Sequence, residues 1–158
     1  MSLILDGSAG VTFPNSTVQA SAGSVLQVVQ ASTTTSTSTS SASYVSTPLT
    51  VSITPKFSTS KILVITSGVF SDTSGASYGS YTIARNGTTQ SASEVLYYRA
   101  AGSSTYCMPI TYLDSPATTS STTYALYLRA LGGGTVIMGA TGVGANTTAT
   151  ITVMEIAG

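Results

Sequence analysis

Leu49-Thr50-Val51-Ser52-Ile53-Thr54-Pro55 and, a few residues on, Lys61-Ile62-Leu63-Val64-Ile65-Thr66-Ser67-Gly68-Val69-Phe70 decide the fold. In the first stretch apolar side chains at 49, 51 and 53 alternate with hydroxyls, the two-residue period of a strand with one buried face. The second is rich in β-branched residues, which fit a pleated surface. Working outward, Val25-Leu26-Gln27-Val28-Val29-Gln30 reads as a strand on the N-terminal side. On the C-terminal side strands are expected at 78–85, 93–100, 105–113, 122–131, 135–140 and 147–156. Turn residues punctuate them: Asp72 with Ser74-Gly75, Asn86-Gly87, Ala101-Gly102, Asp114-Ser115-Pro116, Gly132-Gly133-Gly134 and the glycines at 142 and 144. No window carries apolar residues at helical spacing between caps, so no helical crossover is available for a parallel sheet. About eight to ten short strands joined by glycine-rich turns make an all-β protein, an antiparallel β-sandwich or jelly roll.

Composition narrows the chemistry. At 158 residues and 15.9 kDa the chain is one domain in size, long enough to bury about 68–70% of its unfolded surface. Only 6% of residues are charged, against about 25% in an average soluble domain. Ser and Thr together number 55, so neutral hydroxyls solvate the surface in place of ions. Five basic residues (Lys56, Lys61, Arg85, Arg99, Arg129) stand singly and balance five acidic ones, which leaves no basic stripe to follow a phosphate backbone. Nucleic acid is therefore not an expected partner. The single cysteine excludes an intrachain disulfide and a cysteine zinc site. In Tyr106-Cys107-Met108-Pro109-Ile110 the thiol is expected as a small buried apolar group. Met1-Ser2-Leu3-Ile4-Leu5-Asp6-Gly7 lacks the basic region of a secretory leader. Ile62-Leu63-Val64-Ile65 is far shorter than the ~18 apolar residues of a membrane span. The expectation is a soluble protein folded in the cytoplasm, with no membrane partner.

An enzyme is not expected. Histidine is absent, which removes the commonest general base and the commonest metal ligand together. Gly75-Ala76-Ser77-Tyr78-Gly79 matches G-x-S-x-G in letters, but that motif needs a strand, an elbow, a helix and a histidine, so a hairpin turn is the expectation. Ser58-Thr59-Ser60-Lys61 matches S-x-x-K without its companion motifs. Asp6, Asp72, Glu94, Asp114 and Glu155 form no close pair along the chain, and turn chemistry accounts for Asp72 and Asp114. Glu155 shares a strand face with Ile151 and Val153; if that face is buried, Arg129 or Arg99 is its expected partner. The glycines at 132–134 and 139–144 lack the Lys-Ser/Thr of a phosphate cradle and read as turns. Asn15, Asn86 and Asn146 sit in glycosylation-type triplets and are read as turn residues. No cofactor, metal or catalytic residue is assigned. Among the nine tyrosines, Tyr97 and Tyr98 fall on opposite faces of one strand, so one packs inward and Tyr98 is a candidate for meeting a subunit or ligand. Tyr78 and Tyr81, near a Gly/Ser turn, are candidates for a sugar-stacking surface.

Two segments stand apart. Ser32 to Ser43 contains only Ser, Thr and Ala and reads as an exposed loop or linker. Residues 1–22 hold short apolar stretches broken by Asp6-Gly7, Gly10 and Pro14 and read as an extended arm, with 23–158 as the body. Within the arm, Gly10-Val11-Thr12-Phe13-Pro14-Asn15-Ser16-Thr17-Val18-Gln19 resembles a segment of bacteriophage tail-fibre and virion surface proteins, G-[IV]-x-F-P-D-G-T-x-Q, with Asn15-Ser16 in place of Asp-Gly. Val25 to Gln30, Leu49 to Pro55 and Ser60 to Val64 are similar to the β-rich knobs joined to that segment.

The resemblance implies a homotrimer whose knob is similar to the tumour-necrosis-factor/C1q jelly roll. It implies an arm docked on another virion protein through Val11, Phe13, Pro14, Val18 and Gln19. An extended arm can dock by adding a strand to a partner's sheet edge, and a trimer multiplies weak contacts by avidity. The expected role is a short fibre or knob of a virion assembled in the host cytoplasm, contributing to host-surface recognition, with a host glycan as a further partner. The alternatives are a capsid decoration protein and a bacterial surface adhesin or carbohydrate-binding module.

Overall fold

The computed structural model describes residues 4–6, 10–12, 18–19, 24–73, 78–98, 105–139 and 147–158. In chain order the strands are β1 (Ile4–Asp6), β2 (Gly10–Thr12), β3 (Val18–Gln19), β4 (Val25–Thr33), β5 (Thr37–Thr39), β6 (Val45–Ile53), β7 (Lys61–Ser67) and β8 (Val69–Thr73). They continue with β9 (Tyr78–Arg85), β10 (Thr88–Thr89), β11 (Val95–Tyr98), β12 (Thr105–Cys107), β13 (Ile110–Asp114), β14 (Thr122–Ala130), β15 (Thr135–Met138) and β16 (Ala149–Ile156). A single 3-10 turn at Ser91–Ser93 is the one helical element among the described residues.

All pairing among the described residues is antiparallel. One wall is the sheet β13-β7-β16-β4, and its four chain segments run on in the same order into the sheet β12-β8-β15-β5. The other wall is β6-β14-β9, with β10 and β11 sharing the remaining edge of β9 at its two ends. Counting each through-running segment once, the first wall has the order sixth, third, eighth, first and the second has second, seventh, fourth, fifth. That interleaving of two Greek keys is a jelly roll. β8 and β9 lie in different walls and so do not form a hairpin with each other, and Gly132-Gly133-Gly134 carries β14 over to β15.

Alternation makes the core. Leu49, Val51 and Ile53 of β6, Ile62 and Val64 of β7, Tyr124, Leu126 and Leu128 of β14, and Ile151 and Val153 of β16 are all buried between the walls. Each such side chain stabilises the fold by roughly 1.5–3 kcal/mol relative to exposure. Where β8, β9, β11 and β12 converge, aromatic rings fill the space: Phe70 lies 4.1 Å from Tyr81, Tyr81 5.6 Å from Tyr97, and Tyr97 5.8 Å from Tyr106.

Local chemistry explains the departures from simple alternation. Pro48 sits inside β6, an edge strand, where its missing N–H is tolerated. The register with β14 slips there, and the Thr47 hydroxyl donates to the Leu126 carbonyl at 2.9 Å in place of a ladder bond. Asn86 (φ 48°) and Gly87 (φ 82°) both adopt left-handed backbone in the β9–β10 hairpin, which needs residues of this kind. Asn86 also accepts from the Thr123 amide at 2.8 Å, tying the hairpin to β14.

Two sequence expectations are corrected here, and residues 1–22 gain a description. The Ser/Thr tract is not a linker: β4 extends through Thr33, and β5 pairs Thr37, Ser38 and Thr39 with Met138, Ile137 and Val136. Threonine is β-branched and suits an edge strand, and where pairing stops its hydroxyls take over. Thr33, Thr39 and Ser41 each accept the amide two residues on, at 3.0–3.1 Å. Cys107 is exposed, because Tyr106 takes the inward position of β12. Residues 1–22, read as an extended arm, contain β1, β2 and β3, a three-stranded meander pairing Ile4 with Thr12 and Val11 with Gln19.

Candidate functional site

The buried carboxylates are structural. Asp114, at the end of β13, receives Arg85 Nη1 at 2.9 and 3.0 Å and the Tyr124 hydroxyl at 2.7 Å, with the Tyr112 hydroxyl at 3.3 Å. Arg85 and Tyr124 belong to the opposite wall, so this carboxylate is a clasp between walls and not a turn residue. Burial first, and then the Asp114 charge, push the Tyr124 hydroxyl far above the ordinary phenol range. Asp72, also expected in a turn, is buried on β8.

Glu155 is fully buried, as its strand face foretold, but the arginine expectation fails. Its carboxylate accepts from Gln27 Nε2 at 2.6 Å and from the Lys56 backbone amide at 2.7 Å. Burial is the largest influence and would raise its pKa. The nearby Ser60 hydroxyl, Gln27 and the Lys56 and Phe57 amides together outweigh it, so Glu155 is held below the ordinary carboxylate range. Neutral donors replace a cation because the loop between β6 and β7 folds over this end of β16 and turns its amides inward. Arg129, meanwhile, faces the other way on β14 and pairs with Glu94; Arg99 lies outside the described residues.

The functional candidate is on the outer side of the β6-β14-β9 wall. Inward positions of β14 are Thr122, Tyr124, Leu126, Leu128 and Ala130, which leaves Arg129 pointing out. Ser80 is its partner across the β9–β14 ladder, and Leu96 of β11 is opposite Ser80. Arg129 Nε donates to Ser80 Oγ at 2.9 Å, and Nη2 meets Glu94 Oε1 at 2.6 Å. The guanidinium lies 4.5 Å over the Tyr44 ring, whose hydroxyl shares a 2.9 Å hydrogen bond with Ser80. The Tyr44 hydroxyl close by, then Arg129 and Ser80, hold the Glu94 carboxyl below its ordinary range against a smaller opposing effect of burial. Glu94, in turn, raises Arg129 further.

Beside this pair opens a cleft of about 570 Å³ lined by Tyr78, Glu94, Leu96, Tyr97, Arg129 and Leu131. Leu96 is 64% exposed and Tyr78 43% exposed, so two apolar side chains flank a partly exposed ion pair. A second cleft of about 390 Å³ lies at the chain-end corner, bounded by Ser24, Leu26, Phe57, Thr59, Ala157 and Gly158.

Of the residues singled out from the sequence, Tyr78 lines the larger cleft. Tyr81 does not: it is on the inward side of β9, 1% exposed and packed on Phe70, so its assignment to a receptor-facing surface is wrong. Tyr97 is buried, and the backbone of Tyr98 pairs with Tyr78, but its side chain lies outside the described part. Val11, Val18 and Gln19 are on β2 and β3, while Phe13 and Pro14 lie outside the described residues. Sequence reading missed Tyr44, Glu94, Leu96 and Arg129. An arginine at an outward position of an otherwise uncharged strand was the available signal. Among the described residues no three of Cys, Asp and Glu converge as metal ligands. No protein-family model matches the chain, and no curated protein matches its sequence.

Proposed function

We propose that this chain is a structural protein of a bacteriophage virion, a short trimeric fibre or knob that attaches through residues 1–22 and meets the host surface with its body. The observation that carries the reading is the outer face of the β13-β7-β16-β4 wall. There Val28, Met154, Leu63 and Leu113 are direct cross-strand neighbours, an apolar row crossing all four strands. Val28 is 55% and Leu113 49% exposed. Val25, Ile156 and Ile65 extend the patch along the strands. In a chain whose surface is rich in hydroxyls, this apolar row, bordered by Gln30, Lys61, Thr111 and Thr152, gains by being covered, at about 25 cal/mol for each Å² removed from water. A second copy of the same chain supplies a matching apolar surface.

The jelly roll supports the reading as the architecture implied by the likeness to phage fibre knobs. The sheet β1-β2-β3 supports attachment, since among the described residues β1 and β3 stand at its edges, where a partner can add a strand. The role is binding and assembly, without catalysis.

Deletion of residues 1–22 tests the attachment. The truncated body is expected to keep its β-sheet circular dichroism and to be missing from purified particles after complementation of a phage lacking the gene. Truncated protein recovered in particles at the full-length level would overturn the proposal.

A further inference from the structure

The cleft on the β6-β14-β9 wall has a ligand chemistry of its own. A pyranose presents an apolar face of C–H groups and a rim of hydroxyls, each both donor and acceptor. The cleft offers the complement. The Tyr78 ring and the Leu96 side chain are exposed apolar surfaces. Arg129 and Glu94, joined at 2.6 Å with about a quarter of each side chain still exposed (27% and 23%), present charged donors and acceptors side by side. Because the pair is internally neutral, no uncompensated cation is left to select a carboxylate, sulfate or phosphate. The pair is also rigid: Ser80 holds Nε and the Tyr44 ring supports the guanidinium plane, so little side-chain freedom is lost on binding. The Tyr78 ring is fixed from behind. The Tyr78 carbonyl accepts from the Leu131 and Gly132 amides at 2.8 and 3.1 Å. A Cβ added at Gly132 would lie 2.6 Å from the ring, so glycine there leaves the room the ring occupies.

From this arrangement we infer that the cleft formed by Tyr78, Leu96, Leu131 and the Arg129–Glu94 pair is a binding site for an uncharged saccharide. The sugar's apolar face rests on Tyr78 and Leu96, and vicinal hydroxyls bridge Arg129 and Glu94. Gly132 is a positioning residue. The inference rests on the host-surface reading above and names its ligand class.

Saturation-transfer NMR on the full-length protein, with methyl glycosides of glucose, galactose, mannose and N-acetylglucosamine and with sialic acid as the anionic comparison, tests it. Transfer is expected to the ring C–H protons of at least one neutral glycoside and not to sialic acid. Tyr78→Ala and Arg129→Met are each expected to weaken binding about tenfold. Leu96→Ser changes an exposed side chain, cannot unfold the core, and is expected to weaken binding as well. Absence of transfer from every neutral glycoside, or affinities unchanged in Leu96→Ser and Tyr78→Ala, would overturn the site. The mass of the same sample separates the two readings. A three-chain assembly that binds no sugar rejects only the saccharide site, and a single chain that binds sugar rejects only the trimer.

Discussion

On the outer face of the β13-β7-β16-β4 wall, Val28, Met154, Leu63 and Leu113 stand in one row. On the outer face of the opposite wall the outward positions of β6 are Ser46, Pro48, Thr50 and Ser52, and those of β14 are Thr123, Ala125, Tyr127 and Arg129. Both faces come from strands with the same alternation and mainly apolar inward residues. The difference lies wholly in the outward set. One wall carries an apolar row across its outer face among Gln30, Lys61, Thr111 and Thr152; the other reads apolar in and hydroxyl out, as a strand does when water meets one side. The polar wall also carries the ion pair and its cleft. In the proposed reading the first face meets copies of the same chain and the second a hydroxylated ligand.

The largest effect is expected from breaking the apolar row. Leu63→Lys places a charge at its centre, and in sedimentation velocity the variant is expected to run as a single chain while keeping the wild-type circular dichroism. Sedimentation as an unchanged assembly would erase the distinction between the faces. Next comes the clasp under the apolar wall. Glu155→Ala leaves the Lys56 amide without its acceptor and Gln27 with only the Thr54 carbonyl, and is expected to cost about 3 kcal/mol in urea unfolding. The folded pKa of Glu155 lies below its ordinary value, so its contribution is present above the ordinary carboxylate range. It is lost as pH falls through the depressed value. Urea midpoints at pH 7 and pH 3 should converge in Glu155→Gln relative to wild type; an equal acid loss in both would show that Glu155 is not the group responsible.

Smaller effects belong to the polar wall. Arg129→Ala removes a partly exposed pair and its support on Tyr44, with an expected loss of about 1 kcal/mol and no change of mass. Thr50→Lys, on an exposed position of β6, is expected to change stability by no more than about 0.5 kcal/mol and to leave the assembly intact. Dissociation by Thr50→Lys would mean that the hydroxyl face is an interface too.

The fold was legible where period-two alternation is strong. Leu49 to Ile53 and the terminal Ala149 to Ile156 fall inward and outward as their letters indicate. The outward apolar residues were legible only in part. In Lys61 to Ile65 a nearly unbroken apolar run announces two covered faces, but which neighbours complete the row depends on register, and register is set by pairing between residues about 90 positions apart. The Ser/Thr tract misled because hydroxyl side chains serve equally in loops and on edge strands, and only its pairing with β15 decides. Tyr81 misled for a related reason: the Gly/Ser letters before it suggest a turn, yet it lies within β9 and its parity there sends it inward. The cleft was invisible because Tyr44, Glu94 and Arg129 are far apart in sequence and meet only across β9 and β14.

The most direct test of the account is the absolute mass of the purified chain by multi-angle light scattering across a range of concentrations. The proposed trimer predicts three times the 15.9 kDa of one chain. A mass of 15.9 kDa at every concentration would contradict it and leave the sandwich as a solitary binding module.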